Sequence, residues 1–410
     1  MSLWNKAPSR IYADAAAATP LSDLSRAEMM RLLDVYGNAG ALHKEAVEAK
    51  RELDAARATI ADSICAHPDE IIFTASGTEA NNIAIDGILR PLLHGVGELH
   101  AITLAIEHQS VLEPLRALGV DGLYTTEMDV DEAGLVSLAD LAEAITAETV
   151  FISVQLVNSE VGTIEPLKEV AKLVRQVRTM RQEALGEGEV ALPLYLHTDA
   201  SQAPFWVQLK VESLGIDLMT LDAQKVQGPK GVGVLYIKRH TDVEPVIRGG
   251  VQEFGLRGGT PNVPMAGAFA VAMKDAQEHV AARVEHVAAV RDFLYAEIVK
   301  NIPSTIVNGP QLGAGRAANN LNISIPTLDA ETAVIAMDAE GVAISTRSAC
   351  DTGDEAPSHV IAALIANMDP QEQVKRAKTA IRITLLPNTT KQEASTIADK
   401  LAEVSKRYSR

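Results

Sequence analysis

Two stretches of the chain pair a strand end with groups able to hold a charged ligand. Ile71-Ile72-Phe73-Thr74-Ala75-Ser76-Gly77-Thr78-Glu79-Ala80-Asn81-Asn82 reads as a strand running into a small-residue turn and then a helix. N–H groups exposed at such a helix start hold anions, phosphate above all, although an ordinary N-cap at Thr78 accounts for the same residues. His197-Thr198-Asp199-Ala200-Ser201-Gln202 ends an apolar strand on an acid, at the carboxyl edge where open α/β sheets bind ligands. A carboxylate there would pair with a protonated pyridine nitrogen and keep an electron-sink ring cationic. The plainer reading is an Asp that opens the next helix.

Two further stretches carry nucleophiles. Asp222-Ala223-Gln224-Lys225-Val226-Gln227-Gly228-Pro229-Lys230-Gly231-Val232-Gly233 places Lys225 between a strand end and a glycine-punctuated turn, where an amine can condense with an aldehyde. Most lysines are merely solvated. Ser345-Thr346-Arg347-Ser348-Ala349-Cys350-Asp351-Thr352-Gly353-Asp354-Glu355-Ala356-Pro357 sets Cys350 at the start of a polar loop, as a thiol nucleophile requires. Arg347 favours the thiolate and the nearby acids oppose it. Cys65, at an apolar helix end, reads instead as a packed core residue.

The elements that must position these groups alternate between strand and helix from about residue 20 to 265. Strands are expected at Glu70–Thr74, Leu99–Leu104, Val150–Leu156, Pro193–Asp199, Leu218–Leu221 and Gly233–Ile237, with helices such as Lys44–Ala66, Glu79–Leu93 and Leu167–Leu185 between them. Repeated strand–helix–strand units give a mainly parallel sheet covered on both faces. Beyond the Gly-rich stretch Gly249–Thr260, one long Ala-rich helix, Met265–Ile298, leads to a smaller α/β unit with strands at Leu321–Ser324, Ala343–Ser345 and Ile381–Thr384.

Composition narrows the function class. The chain has 410 residues, 47% hydrophobic and 22% charged, a balance that fits two globular domains and argues against disorder. A formal charge of −17 gives no footprint for nucleic acid. No apolar run reaches the roughly 20 residues of a membrane helix, so a cytoplasmic protein is expected. Two distant cysteines form no disulfide framework, and the ten histidines lack paired metal spacing.

The order and spacing of these motifs resemble the cysteine desulfurases, the class V branch of fold-type I pyridoxal-phosphate enzymes. The likeness spans nearly the whole chain. It includes Tyr12-Ala13-Asp14-Ala15-Ala16-Ala17-Ala18-Thr19-Pro20, Ala105-Ile106-Glu107-His108-Gln109-Ser110-Val111, Asn158-Ser159-Glu160-Val161-Gly162-Thr163, Gly249–Thr260, Cys350 and Ile381-Arg382-Ile383-Thr384-Leu385. It implies a large domain, residues 20–264, with a mainly parallel seven-stranded sheet sandwiched by helices. A smaller α/β C-terminal domain, residues 1–19 and 265–410, would carry the catalytic Cys loop at about 346–358.

Carried over residue by residue, the resemblance makes Lys225 the Schiff-base lysine, Asp199 the pyridinium partner, Gln202 the neighbour of the ring hydroxyl and His108 the group stacked on the ring. Gly77, Thr78, Asp222 and Gln224 fall at phosphate positions, and Thr260 of a second subunit would complete the cradle of a homodimer. Arg382, Asn158 and Ser159 would meet the substrate carboxylate. The implied reaction takes sulfur from L-cysteine, leaving L-alanine and a persulfide on Cys350. The sulfur then passes to an acceptor protein, such as an iron–sulfur scaffold or a component of transfer-RNA thiolation.

Three motifs depart from the family pattern. Asp222 and Gln224 replace a Ser and a His, Ser159 replaces an Asn, and Arg347 replaces a small residue. Asp222 would set a carboxylate beside a phosphate unless it turns to a backbone N–H or a cation such as Lys230. Asn158 would compensate for Ser159. Alternatives are a selenocysteine lyase, another class V aminotransferase, or a non-catalytic sulfur-transfer docking protein.

Overall fold

A computed structural model describes residues 10–186, 191–346 and 358–408. One sheet has seven strands in the order Ile71–Thr74, Gly233–Ile237, Leu218–Asp222, Tyr195–Asp199, Thr149–Ser153, Leu99–Leu104 and Leu123–Met128. Only Gly233–Ile237 runs against its neighbours; the remaining pairings are parallel.

Both faces of this sheet are covered, which is why its strands read as unbroken apolar runs. Ile71 and Phe73 point into one core cluster, with Ile60, Val170 and Val174 from the helices on that side. Ile72 between them points into the other, with Ile83, Leu89 and Leu115. The Leu123–Met128 strand escaped the sequence reading because it lies at the sheet edge. Its ends are buried, but Tyr124 is exposed and Thr125, Thr126 and Glu127 interrupt the apolar pattern.

The C-terminal third builds a second, antiparallel sheet in which Asn320–Ser324 lies between Ile306–Val307 and Ala380–Thr384. The expected strand at Ala343–Ser345 is the two-residue Val342–Ala343, paired in parallel with Ile11–Tyr12. The expected single helix Met265–Ile298 is two, Val263–Glu278 and Val280–Asn301, interrupted at His279. Side chains take the carbonyls at this break: His279 Nδ1 meets Asp275 O at 3.1 Å, and Arg283 donates to Ala276 O at 2.8 Å.

Cys65 is exposed, not packed in the core. It follows the Lys44–Ser63 helix in the left-handed region at φ 56°, with Cys65 N donating to Asp62 O and Ala66 N to Ala61 O. This is a Schellman ending, and it turns the side chain outward. Among the described residues no helix is long and apolar enough to cross a membrane, and no group of acids, histidines and cysteines has the makings of a metal site.

Candidate active site

The parallel strands deliver their carboxyl ends to one edge, and the chemistry collects there. Asp199 is the last residue of its strand; Lys225 closes the short Ala223–Lys225 turn after Asp222; Gly77 opens the Gly77–Val96 helix; His108 caps the Gln109–Ala117 helix. These residues share a cavity of about 250 Å³ with Thr78, Ser159, Gln202, Asp222, Gln224 and Arg382. The walls include Ala16 and Ala17 from the start of the chain and Arg382 from near its end.

Each polar group is oriented by a neighbour. Lys225 Nζ donates to Ala16 O and Ala17 O, both at 2.8 Å. Asp199 accepts from Ser201 N at 2.9 Å and from Asn81 Nδ2 at 2.8 Å. Asn81 also donates to Ser110 Oγ at 2.8 Å, and that hydroxyl lies 2.7 Å from His108 Nδ1. The Ser110 N–H donates to the same ring nitrogen, so in neutral His108 the proton sits on Nε2. Asn81 and Ser110 thus couple Asp199 to His108, roles that sequence reading missed although both lie inside the quoted motifs. Gln202 donates to Ala16 O at 2.9 Å.

Burial raises the Glu107 carboxyl well above its ordinary range, and the Asp199 charge adds to the rise. The Glu107 carboxyl accepts from Gln155 N at 2.6 Å. Burial likewise lowers His197, beneath the site, to about 4. It is a neutral ring held between Ser153 and Thr220.

Arg382 is 1% exposed and donates to Asp14 at 2.8 Å, while its Nε has no partner among the described residues. Arg382 lines the cavity, and a planar guanidinium suits an incoming carboxylate.

Some expected site residues lie elsewhere. Asn158 is not among the residues that line the cavity. Its carbonyl accepts from Glu160 N and Val161 N, each at 2.8 Å, and its amide donates to Ile106 O, so the side chain builds the turn. Thr260 is exposed and borders a separate cavity with Thr74, Ala75 and Arg257. The cap of the Gly77–Val96 helix is Ser76, accepting from Glu79 N at 3.1 Å, and not Thr78. Asp222 turns to backbone N–H groups and not to Lys230, accepting from Gly77 N and Gln224 N. Cys350, Arg347 and most of the 346–358 loop fall outside the described residues.

Residues 11–397 match the family described as "Aminotransferase class-V". The chain belongs to this family. It is similar to the cysteine desulfurase IscS of Dictyoglomus turgidum, 35% identical over 395 residues that cover 96% of this chain and 94% of the relative. A solved NifS-like protein superposes with a TM-score of 0.86 at 28% identity, covering 97% of this chain and all of the other. SspA, solved in complex with cysteine, superposes at 0.76 with 29% identity over 93% of this chain and its own full length. The enzyme is thus of the pyridoxal-phosphate-dependent cysteine desulfurase type, with the fold-type I architecture.

The cavity fits that cofactor. It offers an amine for the aldehyde, a carboxylate for the ring nitrogen, an imidazole wall and a helix start for the phosphate.

Proposed function

We propose that the enzyme takes sulfur from L-cysteine through Lys225, Asp199, Arg382 and Cys350, and acts in the cytoplasm as a homodimer in which Thr260 of each subunit serves the other's phosphate seat. The observation that carries the residue roles is the meeting of Lys225, Asp199 and Arg382 around one cavity.

Bound there, pyridoxal phosphate supplies an aldehyde for the Lys225 amine and a ring that withdraws electrons from the amino-acid α-carbon. Asp199, fixed by Ser201 and Asn81, holds the proton on the ring nitrogen. Arg382 binds the substrate carboxylate and orients it. Lys225 would be the base that removes the substrate α-proton and returns it.

The Cys350 thiolate attacks the substrate Sγ. A new S–S bond forms as the substrate Cβ–Sγ bond breaks; Cβ keeps the electron pair, takes a proton and leaves as part of L-alanine. The sulfur stays on Cys350 as a persulfide for transfer to an acceptor protein, such as an iron–sulfur scaffold. Reach is supported by the two ends of the segment that carries this cysteine. Ser345 N donates to Arg382 O at 3.1 Å, and Ser358 Oγ bonds Glu160, next to Ser159 in the cavity wall.

Purified enzyme given cysteine and a reductant is expected to yield alanine and sulfide. Cys350→Ser should lose sulfide release and keep the visible absorption of the cofactor. Sulfide production that survives this change would refute Cys350 as the nucleophile.

A further inference from the structure

The start of the Gly77–Val96 helix is already filled by an anion that belongs to the chain. Asp222 Oδ2 accepts from Gly77 N at 3.1 Å and from Gln224 Nε2 at 3.2 Å, while Oδ1 accepts from Gln224 N at 3.1 Å. The Gln224 contact is an Asx turn at the end of the Leu218–Asp222 strand, so local backbone geometry fixes the carboxylate toward the helix. The fit is close: a Cβ on Gly77 would lie 3.2 Å from Asp222 Cβ and 3.3 Å from Oδ2. Asp222 is 7% exposed, yet it borders the cavity that holds Lys225.

We infer that Asp222 is a built-in competitor for the phosphate seat, which lowers the enzyme's affinity for the phosphorylated cofactor relative to its dephosphorylated form. A phosphate at the helix start needs the Gly77 N–H, and Gln224 offers further donors beside it at the same cavity. The Gly77 N–H and both Gln224 groups are engaged by a carboxylate that must turn away before the phosphate can take them. If the carboxylate stays, it faces a second anion across a hydrogen-bond distance in a site shielded from water, where like charges repel strongly. Attachment through Lys225 does not involve this seat, so the effect falls on the phosphate alone.

The inference rests on pyridoxal phosphate being the cofactor, and its test is a binding measurement. Apoenzyme is titrated with pyridoxal phosphate, with pyridoxal and with inorganic phosphate, followed by visible absorbance for the first two and by calorimetry for the third. Asp222→Asn keeps the size of the side chain and removes its charge; Asp222→Ser removes the competing group. Both variants should bind pyridoxal phosphate more tightly than wild type, on the order of tenfold or more. Pyridoxal affinity should stay unchanged, and inorganic phosphate should bind the variants more tightly than wild type.

Unchanged pyridoxal phosphate affinity in both folded variants, or an equal gain for pyridoxal, would overturn the role of Asp222 while leaving the cofactor in place. If no protein bound pyridoxal phosphate or pyridoxal, the cofactor reading itself would fail and the inference with it.

Discussion

Arg382 and Asp14 are 368 positions apart, yet the guanidinium donates to the carboxylate at 2.8 Å inside the cavity wall. The contact leaves Nε of the same guanidinium buried and without a partner among the described residues. Asp14 thus holds Nη2 of Arg382 while Nη1 donates to Ser159 O at 3.4 Å, which fixes the guanidinium at the cavity wall.

Arg382→Lys keeps the charge and loses the planar fork. The expected result is a rise in KM for cysteine of roughly tenfold or more, with visible absorption retained. Asp14→Asn should raise KM less and leave kcat nearly unchanged. Steady-state rates of alanine formation decide it; unaltered KM in both variants would remove Arg382 from the substrate site.

Lys225→Arg preserves a cation beside the Ala16 and Ala17 carbonyls but has no amine able to condense with an aldehyde. Thermal unfolding should change by less than about 1 kcal/mol, as for replacements that break no buried network. The visible band should be absent. A band that persists would show that another lysine holds the cofactor.

Gly162 lies at φ +75°, and a Cβ there would come within 2.6 Å of the Asn320 side chain. The Asn158–Thr163 turn presents Ser159 to the cavity, so this glycine supports the site as well as the fold. Gly162→Ala should cost about 2–4 kcal/mol, from a left-handed residue with a Cβ and from overpacking. Denaturant titration measures the loss.

Glu165 is buried, and desolvation lifts its pKa to about 8, against the lowering effect of the Val136 N–H. Between an unfolded value near 4.5 and the folded value near 8, the folded chain binds more protons than the unfolded one. Its contribution to stability is therefore full below about pH 4.5 and lost as pH rises through about 8. Glu165→Gln should flatten stability against pH across that window. Equal slopes for variant and wild type would show that Glu165 is not held neutral.

The sequence made the central sheet readable wherever strands are buried on both faces, because Leu99–Leu104 and Gly233–Ile237 have no polar interruption long enough to obscure them. It hid Leu123–Met128, whose edge position leaves Tyr124 in solvent. It hid the break at His279, since the Ala-rich pattern continues across it and the cause is side chains reaching back to carbonyls. Residue types pointed to Lys225 and Asp199 and the family resemblance to Arg382, and the three line one cavity. Residue types could not reveal that Asn158 faces its own turn, or that Asn81 joins Asp199 to Ser110, because hydrogen-bond partners distant in sequence leave no local pattern.

The parallel pairing of Ile11–Tyr12 with Val342–Ala343 bears on when the enzyme becomes functional during synthesis. Ala16, Ala17 and Asp14 leave the ribosome more than 360 residues before Arg382. The seven-stranded sheet can form earlier, since its last strand ends at Ile237. A nascent chain therefore carries Lys225 and Asp199 on a finished platform well before it has a complete pocket, and full cofactor and substrate capture waits for the final strand to dock.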